Sequence, residues 1–372
     1  MNSQARLSFK EKFANLNVLL ISLVTLLVGL GFLMLYDAGN GSFYPWAQPQ
    51  ILRFILGMVL MLGVALTPIQ IWLKSAYALY AIAFILLCLV EIFGHVGMGA
   101  QRWLDLYIFK LQPSELMRLT LILALACYFH RSNPEELKKP SFLISPVLMI
   151  LAPAAVVTKQ PDLGTALLLI SVGAGLLFVV GVNIKYFIGA FIAGCAAIPL
   201  AWHLLHEYQK KRILIFLNPE SDPLASGYHI TQSKIALGSG GFFGKGFLKG
   251  TQSHLNFLPE KQTDFIFTMF CEEFGMLGAL LLIILYMVIL GCGLLITLRC
   301  QSSFARLISY GIVMTLFVYI FINMAMVMGL VPVVGIPLPM VSYGGTAMLT
   351  LMMGFGFLLN ADIHRDLRIP RY

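Results

Sequence analysis

The sequence predicts an all-α polytopic membrane protein of about ten transmembrane helices, with a large outer loop before the eighth. Two observations carry this. Hydrophobic residues fill 59% of the 372 positions and charged residues only 11%, whereas soluble domains carry about a quarter charged residues. The apolar residues also fall in continuous runs, many near the ~20 residues a spanning helix needs. Lipid admits only helices and closed barrels, because every backbone group must be satisfied internally. Barrel strands alternate in polarity and these runs do not, so the runs are helices. Residues 1–372 read as a single membrane domain that includes the long loop.

In chain order the predicted spans are 17–36, 51–67, 76–93, 114–130, 141–157, 164–182, 186–206, 264–297, 307–330 and 344–360. The first follows Arg6, Lys10 and Lys12. It is longer than a signal-peptide core and lacks a small-residue cleavage site, so it is expected to be retained. Lysine and arginine near span ends favour both termini on the cytoplasmic side. That side would hold Lys74, Arg131, Lys139, Lys185, Arg299, Arg306 and Arg368, against Arg102, Lys110 and Lys159 in the short outer loops. The 207–263 segment is also basic, but long loops are weak orientation signals. Its apolar residues, Ile230, Ile235, Phe242, Phe243 and Phe257 among them, predict that it folds onto the outer membrane face.

The formal charge of +8 does not point to nucleic acid, since the basic residues lie between spans. Anionic lipid head groups and diphosphates suit this pattern better. Cys88, Cys127, Cys195, Cys271, Cys292 and Cys300 form no C-x-x-C pair and lie in or beside apolar runs. They read as small buried hydrophobes, with no disulfide and no zinc site.

Ionisable residues at membrane boundaries are costly and mark candidate function. Four groups stand out, all on the predicted outer side. The first is Arg102-Trp103 with Gln112-Pro113-Ser114-Glu115 and Arg118, where Pro113 and Ser114 signal a helix start. Glu115 and Arg118 are spaced to pair on one helix face, either as a structural ion pair or as part of a site. The second is Lys159-Gln160-Pro161-Asp162-Leu163-Gly164-Thr165. Here Asp162 is expected to cap the next helix, and Lys159 is free to meet a phosphate. The third is Pro259-Glu260-Lys261-Gln262-Thr263-Asp264-Phe265-Ile266. Asp264 enters an apolar helix, either as its cap or as a reactive carboxylate; Glu272 and Glu273 lie deeper and are expected to be paired. The fourth, Gly335-Ile336-Pro337-Leu338-Pro339 with Ser342-Tyr343-Gly344-Gly345, breaks helix before the last span and reads first as a shaping turn. The stretch Gly238 to Gly246 lacks the spacing of a P-loop. It is expected to be a tight glycine turn whose exposed amides could favour an anion.

Taken in order, these motifs resemble the SEDS family, the shape, elongation, division and sporulation proteins. The most specific stretch runs from His229-Ile230-Thr231-Gln232-Ser233-Lys234 through the glycine turn. It continues as Gly250-Thr251-Gln252-Ser253-His254 to Pro259-Glu260 and Thr263-Asp264-Phe265-Ile266. Lys245-Gly246 with Gly250 to Ser253 is similar to the elongation branch rather than the division branch. The resemblance implies ten transmembrane helices, a large periplasmic loop before the eighth, and location in the bacterial inner membrane. It implies a peptidoglycan glycosyltransferase that polymerises lipid II onto a nascent glycan strand. It also implies a class B penicillin-binding protein as partner, among other membrane proteins of the elongation complex.

The family's catalytic aspartate maps onto Asp264, and its Glu and Lys pair onto Glu115 and Arg118. Arginine here replaces the usual lysine, which leaves a charge or phosphate role but none that needs a neutral amine. The leaving diphosphate is expected to meet positive charge from Arg102, Arg118, Lys159, Arg212 or Lys245, with Asp162 and Ser342 in support. A divalent ion, Mg2+ or Mn2+, could share that role, bound through diphosphate oxygens. No cysteine–histidine cluster or H-E-x-x-H sequence defines a protein metal site. A lipid II transporter and a non-catalytic scaffold are the rival readings. The one-sided clustering of charged motifs weighs against transport.

Overall fold

Each of the ten apolar runs is a helix in the computed structural model, which describes residues 8–97, 100–105, 110–133, 135–204, 210, 214–216, 218, 226–254 and 260–370. A short α1 (Phe9–Ala14) precedes α2 (Val18–Ala38), α3 (Ala47–Leu66) and α4 (Ile69–Phe93). After them come α5 (Pro113–Arg131), α6 (Pro140–Lys159), α7 (Leu163–Val180) and α8 (Ile184–Leu204). The described parts of the long loop form α9 (Ser226–Ser239) and a single turn, α10 (Thr251–His254). Last are α11 (Ile266–Arg299), α12 (Ser303–Val327) and α13 (Gly345–Ile363).

Among the described residues, eight helices are long and apolar enough to cross a membrane. The two other predicted spans, α5 and α8, differ from these for different reasons. In α8 the fully described stretch, Ile184–Pro199, is apolar but shorter. α5 carries Glu115, Arg118, His130 and Arg131, which lower its hydropathy, yet it is buried along nearly its whole length. It packs against α4, α6, α7, α12 and α13, so Glu115, Arg118 and His130 meet protein and not lipid.

Local chemistry sets the helix ends. Asn17 caps α2 by accepting from the Leu20 amide at 3.1 Å. α5 and α6 begin with Pro113 and Pro140, where a missing N–H costs nothing. α7 ends at Gly181, whose φ of 97° suits glycine. At the end of the bundle away from the motifs, Asn17 Nδ2 donates to Asp362 Oδ2 at 2.9 Å. There Asn360 Nδ2 lies 2.6 Å from the Thr67 carbonyl and 2.9 Å from that of Ala65, at the C-terminus of α3.

One feature departs from the sequence expectation. The segment between α4 and α5 is not plain loop. It forms an antiparallel sheet of β1 (His95–Gly97), β2 (Ala100–Asp105) and β3 (Lys110–Leu111), with His95 opposite Trp103 and Leu104 opposite Leu111. The apolar residues of the long loop divide between the protein core and its outer surface. Ile230 is buried, but Leu214, Ile235, Phe242 and Phe243 are exposed; Ile213 and Phe257 lie outside the described residues. Polar contacts also fix the described part of the loop, with Ser233 Oγ 2.7 Å from Thr268 Oγ1 and 2.8 Å from the Val327 carbonyl.

α11 is not one rod. Gly275 sits at φ 65°, ψ −165° inside it, so the chain leaves helical geometry there. The break is filled by the glycine turn. The amides of Lys245 and Gly246 donate to the carbonyls of Glu272 and Glu273, each at 3.0 Å. In return the amides of Met276 and Leu277 donate to Gly241 and Phe242, at 2.9 and 3.1 Å. A Cβ on Gly244 would lie 2.0 Å from the Glu273 carbonyl oxygen, at a backbone φ of +79°. Gly244→Ala is therefore expected to destabilise the protein by more than ~2 kcal/mol, read as a lowered melting temperature in detergent. Gly63→Ala, on an open face of α3, should leave it unchanged; equal melting of the two variants would refute this account of the turn.

Candidate functional site

Asp264 lies one residue outside α11, whose N-cap is Phe265. It is therefore not the helix-capping aspartate that the sequence also allowed. Its side chain is half-buried, and its backbone is held from two sides. Asn323 of α12 donates through Nδ2 to the Asp264 carbonyl at 3.0 Å and to the Ile336 carbonyl at 2.7 Å. Ser342 Oγ donates to the Thr263 carbonyl at 2.6 Å and accepts from the Leu338 amide at 2.8 Å. The Tyr343 amide donates to the Gln262 carbonyl at 2.8 Å. The glycine- and proline-rich segment before α13 thus straps the Asp264 turn, and Ser342 is its clasp.

Gly335 shows how close the strap comes. At φ +79° its missing Cβ would lie 3.3 Å from Asp264 Oδ2. On the other flank, a Cβ on Gly164 would lie 2.4 Å from Val334 Cγ1. The start of α7, the strap and Asp264 are therefore contiguous. Lys261, three residues before Asp264, is buried; burial lowers its ammonium pKa, and the Asp37 carboxylate partly offsets this.

Glu115 and Arg118 form the expected pair, at 2.5 Å, and both are buried. Tyr319 donates to Glu115 Oε1 at 3.0 Å, and Thr350 to Glu115 Oε2 at 3.1 Å. The Arg118 guanidinium lies 4.4 Å above the Tyr319 ring. Tyr319 and Asn323 are four residues apart on α12, so one face of that helix serves both the ion pair and the Asp264 turn, ~6 Å apart along the axis.

The other predicted cations are mostly engaged. Arg102, on β2, donates to the Pro161 carbonyl and stands 3.7 Å from Asp162 Oδ2. It clasps the turn between α6 and α7. Asp162 caps α7 as expected, accepting from the Thr165 amide at 3.2 Å and its hydroxyl at 2.9 Å. Lys245 Nζ is bound to Glu272 Oε1 at 2.7 Å, and that fully buried carboxylate also accepts from the Thr251 amide at 2.9 Å. This corrects two expectations. Lys245 is an anchor for the loop rather than an open phosphate ligand, and the turn's amides at Lys245 and Gly246 bond to α11 carbonyls rather than facing solvent. The expected pairing of Glu272 holds, and Glu273 faces Asp37. Lys159 is exposed, and Arg212 lies outside the described residues.

One cation was not singled out by sequence reasoning. Arg53, on α3, lies 4.6 Å from the centre of the Tyr343 ring and 3.5 Å from Gln50 Oε1. Gln50 is buried and donates to the Ser342 carbonyl at 3.2 Å. A charge inside a predicted span was the available signal.

Comparison with known proteins agrees with this geometry. Residues 15–367 match the FtsW/RodA/SpoVE family, described as cell cycle proteins. The peptidoglycan glycosyltransferase MrdB of Escherichia coli K12 is 43% identical over 350 residues, covering 92% of this chain and 94% of that one. A solved chain from a study of the structural coordination of polymerization and crosslinking by a peptidoglycan synthase complex superposes with a TM-score of 0.83 at 29% identity, covering 94% and 98%. The rod shape determining protein RodA of Thermus thermophilus superposes with a TM-score of 0.71 at 26% identity, over 94% and 97%. A match of this extent, on a helical bundle with its charged motifs gathered at one end, makes the chain a multi-pass membrane protein of the FtsW/RodA/SpoVE family.

Proposed function

We propose that the chain is a peptidoglycan glycosyltransferase of cell elongation, polymerising lipid II into β-1,4 glycan strands with Asp264 as general base. The observation that carries this reading is the setting of Asp264. Its carboxylate stands half-buried beside Gly335, at the end of the bundle where the charged motifs meet, on a turn clamped by Asn323 and Ser342.

In the reaction, the 4-hydroxyl of the lipid II GlcNAc attacks the anomeric carbon of the strand's terminal MurNAc. Asp264 takes the hydroxyl proton as the new C–O bond forms. The bond to undecaprenyl diphosphate breaks with inversion, so the α-linked donor becomes a β-linked product. Glycosidases pair two carboxyl groups because their leaving group must be protonated. A diphosphate leaves as a stable anion and needs positive charge instead. Arg102, Arg118 and Lys245 already hold partners, so Arg53 and Lys159 are the better placed cations, and Arg212 keeps its candidacy from sequence. Among the described residues no three carboxylate, histidine or cysteine groups cluster to hold a metal. A divalent ion, Mg2+ or Mn2+, bound through diphosphate oxygens would add to that positive charge.

Both substrates are tethered to polyprenyl tails, which fits a site at the lipid–water boundary of the bacterial inner membrane. The termini are cytoplasmic and the Asp264 end periplasmic in this reading, following the lysine and arginine distribution. The partner is a class B penicillin-binding protein, within a larger elongation complex. Support comes from the similar chain solved in a complex that coordinates polymerization and crosslinking.

Asp264→Asn is expected to lower glycan polymerisation from purified lipid II by ~10²–10⁴-fold with unchanged melting temperature. Near-normal polymer would remove Asp264 from the mechanism. Lipid II movement in vesicles without polymer from the wild type would favour a transporter. Ser342→Ala is expected to cost ~1–3 kcal/mol of stability and to lower kcat ~10–10²-fold through misplacement of the base. KM should change little, so a KM effect with intact kcat would contradict the clasp.

A further inference from the structure

At the end of the bundle opposite Asp264, α8 stands apart from its neighbours. From Ile188 to Pro199 every residue is exposed, and a Cβ on Gly189 or Gly194 would meet nothing within 4 Å. α8 touches the body near its base, where Phe187 meets Phe178 at 5.9 Å between ring centres. Above that contact a cavity of about 390 Å3 opens between α6, α7 and α8. Its walls include Leu143, Val147, Ile150, Ile170, Ala174 and Phe187. A volume of this size lies in the range of small-molecule sites, ~300–1,000 Å3. Its walls offer almost no hydrogen-bonding group, so water gains little there, while an empty groove forfeits dispersion contacts on both sides. An alkyl chain satisfies the walls.

The rim says which lipid. Pro140 and Tyr186 line the mouth, and each is directly preceded by an exposed lysine, Lys139 and Lys185. The N-termini of α6 and α8 are at the same rim, adding partial positive charge. The nearby acidic residues are Glu135 and Glu136, and Glu136 is turned onto the Asn133 amide at 2.9 Å.

We propose that this groove is a binding site for one acyl chain of an anionic glycerophospholipid, its headgroup held by Lys139 and Lys185 in the leaflet opposite the Asp264 site. The lipid completes the packing of α8 against α6 and α7. The site is separate from the proposed active site, and it stands whether or not Asp264 is the base.

Native mass spectrometry of the purified full chain, titrated with phosphatidylglycerol and phosphatidylethanolamine, tests this. One phosphatidylglycerol should be retained in preference to phosphatidylethanolamine. The double variant Lys139→Gln, Lys185→Gln changes only exposed side chains and should weaken that binding ~10–30-fold, at roughly fivefold per lysine. Ala174→Trp, which fills the groove, should abolish it. Equal retention of the two lipids, or full retention by the double variant, overturns the proposal. So does displacement of phosphatidylglycerol by equimolar undecaprenyl phosphate, which would assign the groove to polyprenyl carriers.

Discussion

A helix that breaks within a membrane protein must find new partners for the groups it releases, because lipid supplies none. In α11 the break at Gly275 releases the carbonyls of Glu272 and Glu273 and the amides of Met276 and Leu277. The glycine turn of the long loop meets all four. Such backbone-to-backbone contact demands residues without side chains: a Cβ on Gly240 would lie 2.2 Å from the Cys271 carbonyl oxygen. The Glu272 side chain extends the join to Lys245, Thr251 and Gln252. The loop is thus welded to α11, and the short helical segment that begins just after Asp264 is fixed independently of the longer membrane rod that follows.

The strap before α13 meets a similar demand by other means. It has no regular secondary structure, so side chains from several helices satisfy its backbone. Gln50 of α3 reaches the Ser342 carbonyl, Asn323 of α12 reaches Ile336, and Tyr286 of α11 donates to the Pro339 carbonyl at 2.6 Å. Non-helical backbone at this depth persists only where protein buries it. The position of Asp264 therefore depends on three helices and a strap together, which is the preorganisation its proposed role requires.

Much of this was legible in the sequence, for identifiable reasons. Length and apolarity revealed the spans, and α5 was recognised from Pro113 and its apolar residues despite its charges. The small sheet at 95–111 was missed because its strands are short and its pairing depends on contacts between segments. Cations were harder to read. Sequence shows that Lys245 and Arg102 are charged and near the boundary. It does not show that Glu272, 27 positions away, and the Gln160 to Asp162 turn already occupy them. The glycine turn was recognised as a turn, but the break that consumes its amides lies some thirty residues further on and carries no local signature beyond Gly275. Arg53 was obscured by the apolar run around it.

The buried pair on α5 illustrates how environment narrows chemical role. A guanidinium keeps its proton in proteins and is planar. Arg118 uses both properties, pairing with Glu115 on one side and lying over the Tyr319 ring on the other. Lysine could supply the charge but not the stacking. Glu115 in turn has its two oxygens occupied by Tyr319 and Thr350. Both groups are buried and held by these contacts. Their contribution is a fixed electrostatic unit one helical turn from the Asn323 contact with Asp264, joined to it through α12. A change at Arg118 would then reach the Asp264 turn through the placement of α12.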